Sequence, residues 1–109
     1  MDAIVIHCTV PDKRVAKDIA KCMLKYKMAA CVSMIDMVES TFSWDGEVEK
    51  EREVLLMIKT LRIHFDKIKT LIAELHPYSV PEIIALPIVD CSQEYLDWLV
   101  RETQGQPLK

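Results

Sequence analysis

The sequence predicts an α+β sandwich, and three observations carry that prediction. Residues 3–9 are a β-branched apolar run, two later stretches repeat apolar residues at helical spacing, and Asp45-Gly46 marks a hairpin between them. Together they give the order β-α-β-β-α-β-α, with strands and helices interleaved in the way a packed sheet and helix layer requires.

The first strand, Ala-Ile-Val-Ile-His-Cys-Thr, reads as buried and is stopped by Pro11-Asp12. Asp12 is placed to cap a helix whose stripe is Val15, Ile19, Met23 and Tyr26, while Lys13, Arg14, Lys17, Lys21, Lys25 and Lys27 gather mostly on its solvated side. A long hairpin over residues 33–58 follows, reversed by Asp45-Gly46, the dipeptide type that tolerates positive φ at both turn positions. Its second strand alternates strictly, with Glu47, Glu49, Glu51 and Glu53 on one face and Val48, Lys50, Arg52 and Val54 on the other. Four carboxylates in a row favour a water-facing edge that resists aggregation; an acidic cation face or a patch meeting basic residues of another subunit are the alternatives. Phe65, Ile68, Leu71, Ile72 and Leu75 place a second helix over 62–75, and His76 should end it because Pro77 forces the residue before it into an extended conformation. Residues 83–89 form the fourth strand, with Pro87 implying an edge or bulge, and Ser92 caps a third helix through Leu96, Leu99 and Val100. Two right-handed crossovers around a central hairpin give the ferredoxin-like βαββαβ sandwich, here with an extra C-terminal helix and a long β2-β3 hairpin.

At 109 residues and half apolar, the chain is expected to form a single domain, 1–109. A net charge of −3 and a basic cluster without stacking aromatics argue against nucleic acid, and no apolar run is long enough for a membrane span. The N-terminal residues carry no export pattern, so the expected location is cytoplasmic. Cys8, Cys22, Cys31 and Cys91 form no C-x-x-C pair, and in a reducing compartment Cys22 and Cys31 are expected to be buried free thiols. Met23, Met28, Met34, Met37 and Met57 read as core filling, and His64 as a solvated surface residue.

Chemistry is concentrated in His76-Pro77-Tyr78-Ser79-Val80-Pro81-Glu82, an imidazole, an aromatic ring and a carboxylate held in a loop stiffened by two prolines. His7 and Cys8 point to opposite faces of their strand and do not share an ion. If the fourth strand lies beside the first, His76 approaches Cys8, and a thiolate with an imidazole suits copper or zinc better than magnesium. No phosphate loop, nucleophile elbow or zinc-protease spacing is present, so the expectation is not an enzyme.

Cys8-Thr9-Val10-Pro11-Asp12, Ala29-Ala30-Cys31-Val32, Ser40-Thr41-Phe42-Ser43-Trp44-Asp45-Gly46, the stretch from Glu53 to Thr60, and the loop from His76 to Glu82 occur in an order and spacing that resembles the CutA divalent-cation tolerance family. That family is associated with the PII-like signalling fold. The resemblance covers nearly the whole chain. It implies a homotrimer whose long hairpins wrap neighbours, with clefts between subunits, and a role in tolerance of copper and other divalent cations. Copper ligation in the family is attributed to a cysteine matching Cys8 and to two adjacent histidines before Pro-Tyr; here Leu75 replaces the first, leaving His76. A tyrosine common in the hairpin is Phe42, while Trp44, Lys59, Tyr78 and Glu82 match.

The resulting expectation is a non-enzymatic cytoplasmic homotrimer in metal ion homeostasis. It would bind copper or another divalent cation weakly at Cys8 and His76, or a small molecule in a cleft formed by Trp44, Glu53, Lys59, Tyr78 and Glu82. Two rivals remain: a structural or signalling trimer that scaffolds a protein partner, and an enzyme using His76 or Glu82 as an acid–base group.

Overall fold

A computed structural model describes residues 2–105, so Met1 and residues 106–109 of the expected domain lie outside the described part. The elements run β1 (Ala3–Val10), α1 (Lys13–Lys25), β2 (Cys31–Trp44), β3 (Glu47–Leu61), a 3-10 turn (Arg62–His64), α2 (Phe65–Leu75), β4 (Ile84–Pro87) and α3 (Gln93–Glu102). One antiparallel sheet has the order β2-β3-β1-β4, which is the ferredoxin-like arrangement.

Alternation along β1 and β3 decides what the sheet covers. Ile4, Ile6, Cys8 and Val10 with Val54, Leu56 and Ile58 turn one face towards Val15, Ile19 and Met23 of α1 and Ile68 and Ile72 of α2, and all are buried in one core. Ala3 and Leu61 belong to the opposite face, where Leu99, Tyr95 and Trp98 of α3 pack over that end of the sheet. Among the described residues no helix covers the rest of this second face. Val5, Leu55 and Met57 are half-buried, and Ile35, Ile84 and Leu86 are exposed.

Caps fall where the sequence places them. The Asp12 carboxylate accepts from the Val15 amide, the Ser92 hydroxyl accepts from the Tyr95 amide, and His76 ends α2 with φ −86 and ψ 131. The turn residues Asp45 and Gly46 both have positive φ, 49 and 81, as a tight hairpin of this twist demands.

Several expectations need correction. The second helix starts at Phe65, after the 3-10 turn, and β4 is shorter than residues 83–89. Tyr26 is the exposed C-cap of α1 rather than part of its buried stripe, and Cys22 and Cys31 are only half-buried. Met34 and Met37 are exposed because β2 is an edge strand whose outer part no helix covers. His64 is half-buried instead of solvated. The C-terminal end of α3 at Thr103 lies against it, and burial lowers its pKa although the Thr103 backbone hydrogen bond acts the other way.

A bulge divides the hairpin. Register shifts between Ile35 and Val38, where Met37 takes a positive φ of 61, and beyond it Val38–Trp44 pairs only with Glu47–Glu53. β1 reaches no further than Val54, so the outer hairpin is a two-stranded arm standing off the body. The Glu47-to-Glu53 ladder therefore does lie on a ribbon edge, with one exception: Glu53 is only 6% exposed.

Candidate functional site

His76 is the hinge pin of the 76–82 loop. Its ring lies 6% exposed, Nε2 stands 2.7 Å from the Thr9 carbonyl, and Nδ1 accepts from the Tyr78 amide at 3.2 Å. An acceptor on one nitrogen and a carbonyl facing the other assign the proton to Nε2, which donates to Thr9. Thr9 neighbours Cys8, and β4 does lie beside β1, so the sequence expectation that the loop approaches Cys8 agrees with the strand order. Both imidazole nitrogens already serve backbone groups, so ligation there requires breaking one of those bonds. The Cys8 thiol is fully buried, and burial pushes its pKa up to about 12, with Glu82 and Glu53 adding to the rise. Metals take thiolate and displace the proton on binding, so burial that raises the thiol pKa adds to the cost of ligation there. Among the described residues no group of three or more His, Cys, Asp and Glu is placed to hold a metal ion.

Among the described residues one side-chain hydrogen bond holds the loop to the arm. The Tyr78 hydroxyl donates to Glu53 Oε2 at 3.0 Å, and the Tyr78 ring leans on the His76 ring with centroids 4.6 Å apart. Burial and then the Glu53 bond push the Tyr78 phenol up to about 12, with the charges of Glu53, Glu51 and Asp12 contributing. Glu53 closes the base of the arm in the same stroke.

Between the arm and the loop lies a groove of about 380 Å³. Phe42, Trp44, Glu49 and Glu51 wall it from the arm, and Tyr78 and Val80 from the loop. Cross-strand register explains the arm's contribution: Phe42 pairs with Glu49 and Trp44 with Glu47, so the aromatics share a face with the carboxylate ladder. Lys50 and Arg52 alternate to the other face.

Of the five expected cleft residues, one chain brings three together. Trp44 and Tyr78 line the groove and Glu53 is bonded to Tyr78. Glu82 is exposed and near enough to Cys8 to raise its pKa, but it does not line the groove. Lys59 stands apart, six residues or about 20 Å along β3 from Glu53. There its ammonium donates to the Ser33 hydroxyl and approaches Cys31 Sγ at 3.8 Å on the open sheet face. Sequence reasoning missed Glu49, Glu51 and Val80 as groove residues. The Asp45-Gly46 turn was the signal for the first two, since a two-residue turn fixes Phe42 opposite Glu49.

The model of the family described as CutA1 divalent ion tolerance protein matches residues 4–102. The divalent-cation tolerance protein CutA of Thermus thermophilus is 46% identical over 101 residues, covering 93% of this chain and 97% of its own length, and its solved structure superposes with a TM-score of 0.90. The solved CutA of Xylella fastidiosa is 35% identical with a TM-score of 0.92, covering 95% of this chain and all of its own. A structure described as the periplasmic divalent cation tolerance protein CutA from Archaeoglobus fulgidus is 32% identical with a TM-score of 0.91, over 94% of this chain and 99% of that one. With its sheet order, its loop and these relatives in agreement, the chain belongs to the CutA1 divalent ion tolerance family.

Proposed function

We propose that the protein serves divalent-cation tolerance without being an enzyme, as a cytoplasmic homotrimer that takes up a ligand in the groove between arm and loop. The groove is the observation that carries this reading. It is the place where aromatic and acidic side chains converge on open space, on a loop fixed at His76 and tied to the arm at Tyr78. Copper or another divalent cation would bind there weakly. Glu49 and Glu51 are one strand repeat apart, about 7 Å, too far to chelate one ion tightly. At Cys8 and His76 an ion would have to displace a bond from a His76 nitrogen and the proton of a fully buried thiol, which also makes binding weak. The four free cysteines fit a reducing compartment.

Two features support self-assembly. Among the described residues both outer strands, β2 and β4, leave an edge unpaired, and pairing the β2 edge of one copy with the β4 edge of the next is a head-to-tail contact of the kind that closes into a ring. The open face with Ile35, Leu55, Met57, Ile84 and Leu86 supplies apolar surface for the same contact. The membership of three follows the family resemblance.

Light scattering tests the assembly: the expected mass is three times the 12.6 kDa chain, and a stable monomer at micromolar concentration overturns it. Copper titration followed by calorimetry and tryptophan fluorescence tests the site. Weak binding that perturbs Trp44 and falls in Glu49→Gln/Glu51→Gln is the expected result. Binding that is unaffected there and lost in His76→Ala would move the ion to the loop.

A further inference from the structure

Resting on the groove as the ligand site, we propose that its preferred occupant is a small organic cation, an alkylammonium compound, rather than a bare metal ion. Three aromatic side chains, Phe42, Trp44 and Tyr78, meet two carboxylates, Glu49 and Glu51, around one open volume. Aromatic faces attract a cation through their quadrupole, and most strongly a soft, weakly hydrated one such as an alkylammonium group. Carboxylates on the same wall neutralise its charge without needing to touch it.

Charge complementarity selects the sign. Among the described residues of one chain no lysine or arginine lines the groove, and Lys50 and Arg52 stand on the opposite face of β3. Behind Tyr78 lies the almost completely buried carboxylate of Glu53, and the phenol itself feels Glu53, Glu51 and Asp12. An anion would meet only negative charge here. Geometry then separates the two kinds of cation. A metal ion needs several oxygens converging within about 2.6 Å, which carboxylates at strand spacing do not supply. An alkylammonium group is wide enough to lie across both carboxylates while resting its alkyl shell on Trp44 and Phe42. Val80 and the predominantly apolar lining suit that shell as well.

The experiment uses the assembled protein as purified, with Trp98→Phe introduced so that Trp44 is the sole fluorescent tryptophan. Choline is the probe, and dimethylbutanol, in which carbon replaces the charged nitrogen, is its neutral control. Saturable binding of choline is expected to shift Trp44 emission, with the control at least about tenfold weaker. Trp44→Leu, followed by calorimetry, and Glu49→Gln/Glu51→Gln are each expected to weaken choline about tenfold while circular dichroism stays unchanged. Equal affinity for choline and its control overturns this inference and leaves the groove a charge-blind small-molecule site. If neither binds while copper still perturbs Trp44, the inference fails and the proposed cation role stands. Silence of Trp44 towards all three overturns both.

Discussion

The inner and outer halves of the hairpin are made of the same two strands and live under different rules. From Val54 to Thr60, β3 alternates buried with half-buried residues, because Val54, Leu56 and Ile58 enter the core beneath α1 and α2 while the residues between them face the other side of the sheet. From Glu47 to Arg52 the same strand is exposed at every position. A two-stranded ribbon is marginal by itself in water, yet this one carries Phe42, Trp44 and Val48 into solvent, the last 74% exposed. Within one chain the arm's side-chain tie to the loop is the Tyr78–Glu53 bond. The contrast teaches that burial under two helices fixes the inner half, whereas the outer half is held within one chain by its own ladder and the tie at its base.

Core truncation is the largest expected effect. Leu56→Ala removes a fully buried side chain in the inner half and should cost about 2–5 kcal/mol in urea unfolding. Val48→Ala, on the same strand eight positions earlier, should stay within about 0.5 kcal/mol in the free chain. A larger loss at Val48 in the assembled protein would show that a neighbouring copy covers the arm.

That division also explains what was legible beforehand. The inner half, both caps and the helix stop at His76 obey local rules, helical spacing, Asx capping and the residue before proline, so the sequence alone locates them. The bulge at Asp36 and Met37 follows no such rule, since no glycine marks the positive φ, and it passed unseen. Tertiary context hid the rest. Nothing in the local pattern says that Glu53 is buried while Glu47, Glu49 and Glu51 are not; that follows from Tyr78 folding back across twenty-five residues. The same holds for His76: no local pattern says that the Thr9 carbonyl and the Tyr78 amide meet its two ring nitrogens.

The next effect in size belongs to the seam between the halves. Tyr78→Phe deletes the hydroxyl that satisfies the Glu53 carboxylate and should cost about 1–3 kcal/mol, more than an exposed hydrogen bond would, because the carboxylate is left almost wholly buried. Glu53→Gln keeps a polar partner for Tyr78 and should cost less. A loss in Glu53→Gln as large as that in Tyr78→Phe would mean that the bond draws its strength from the carboxylate's charge and that a neutral acceptor does not replace it.

Alkaline pH probes the same region from the core side. The Cys8 and Tyr78 groups both have folded pKa values raised to about 12 from ordinary values of 9.0 and 10.0, so the native state holds their protons longer than the unfolded chain does. Their stabilising contribution is complete below about pH 9 and is lost as pH rises towards 12. The thermal unfolding temperature should therefore fall progressively above pH 9, and Cys8→Ala should flatten the early part of that fall. A profile identical in wild type and Cys8→Ala would show that the thiol is more accessible than its burial indicates.

The smallest global effect is expected at the boundary itself. Met37 is 68% exposed and sits at φ 61, a conformation that costs a side-chain-bearing residue on the order of 1 kcal/mol and glycine almost nothing. Met37→Gly relieves that cost but frees the unfolded chain by a similar amount, so overall stability should change by no more than about 0.5 kcal/mol. The arm should respond more than the body, because the bulge is also held by the Asp36 carboxylate, which accepts from the Met37 amide at 2.8 Å and meets Lys13 at 3.2 Å. A glycine there loosens the joint on which those contacts act. Hydrogen exchange should quicken for amides 38–53 and stay unchanged for amides 54–61. If protection fell equally on both sides of the bulge, the two halves of the hairpin would be one cooperative unit, and the separation between folding strand and presenting arm would be lost.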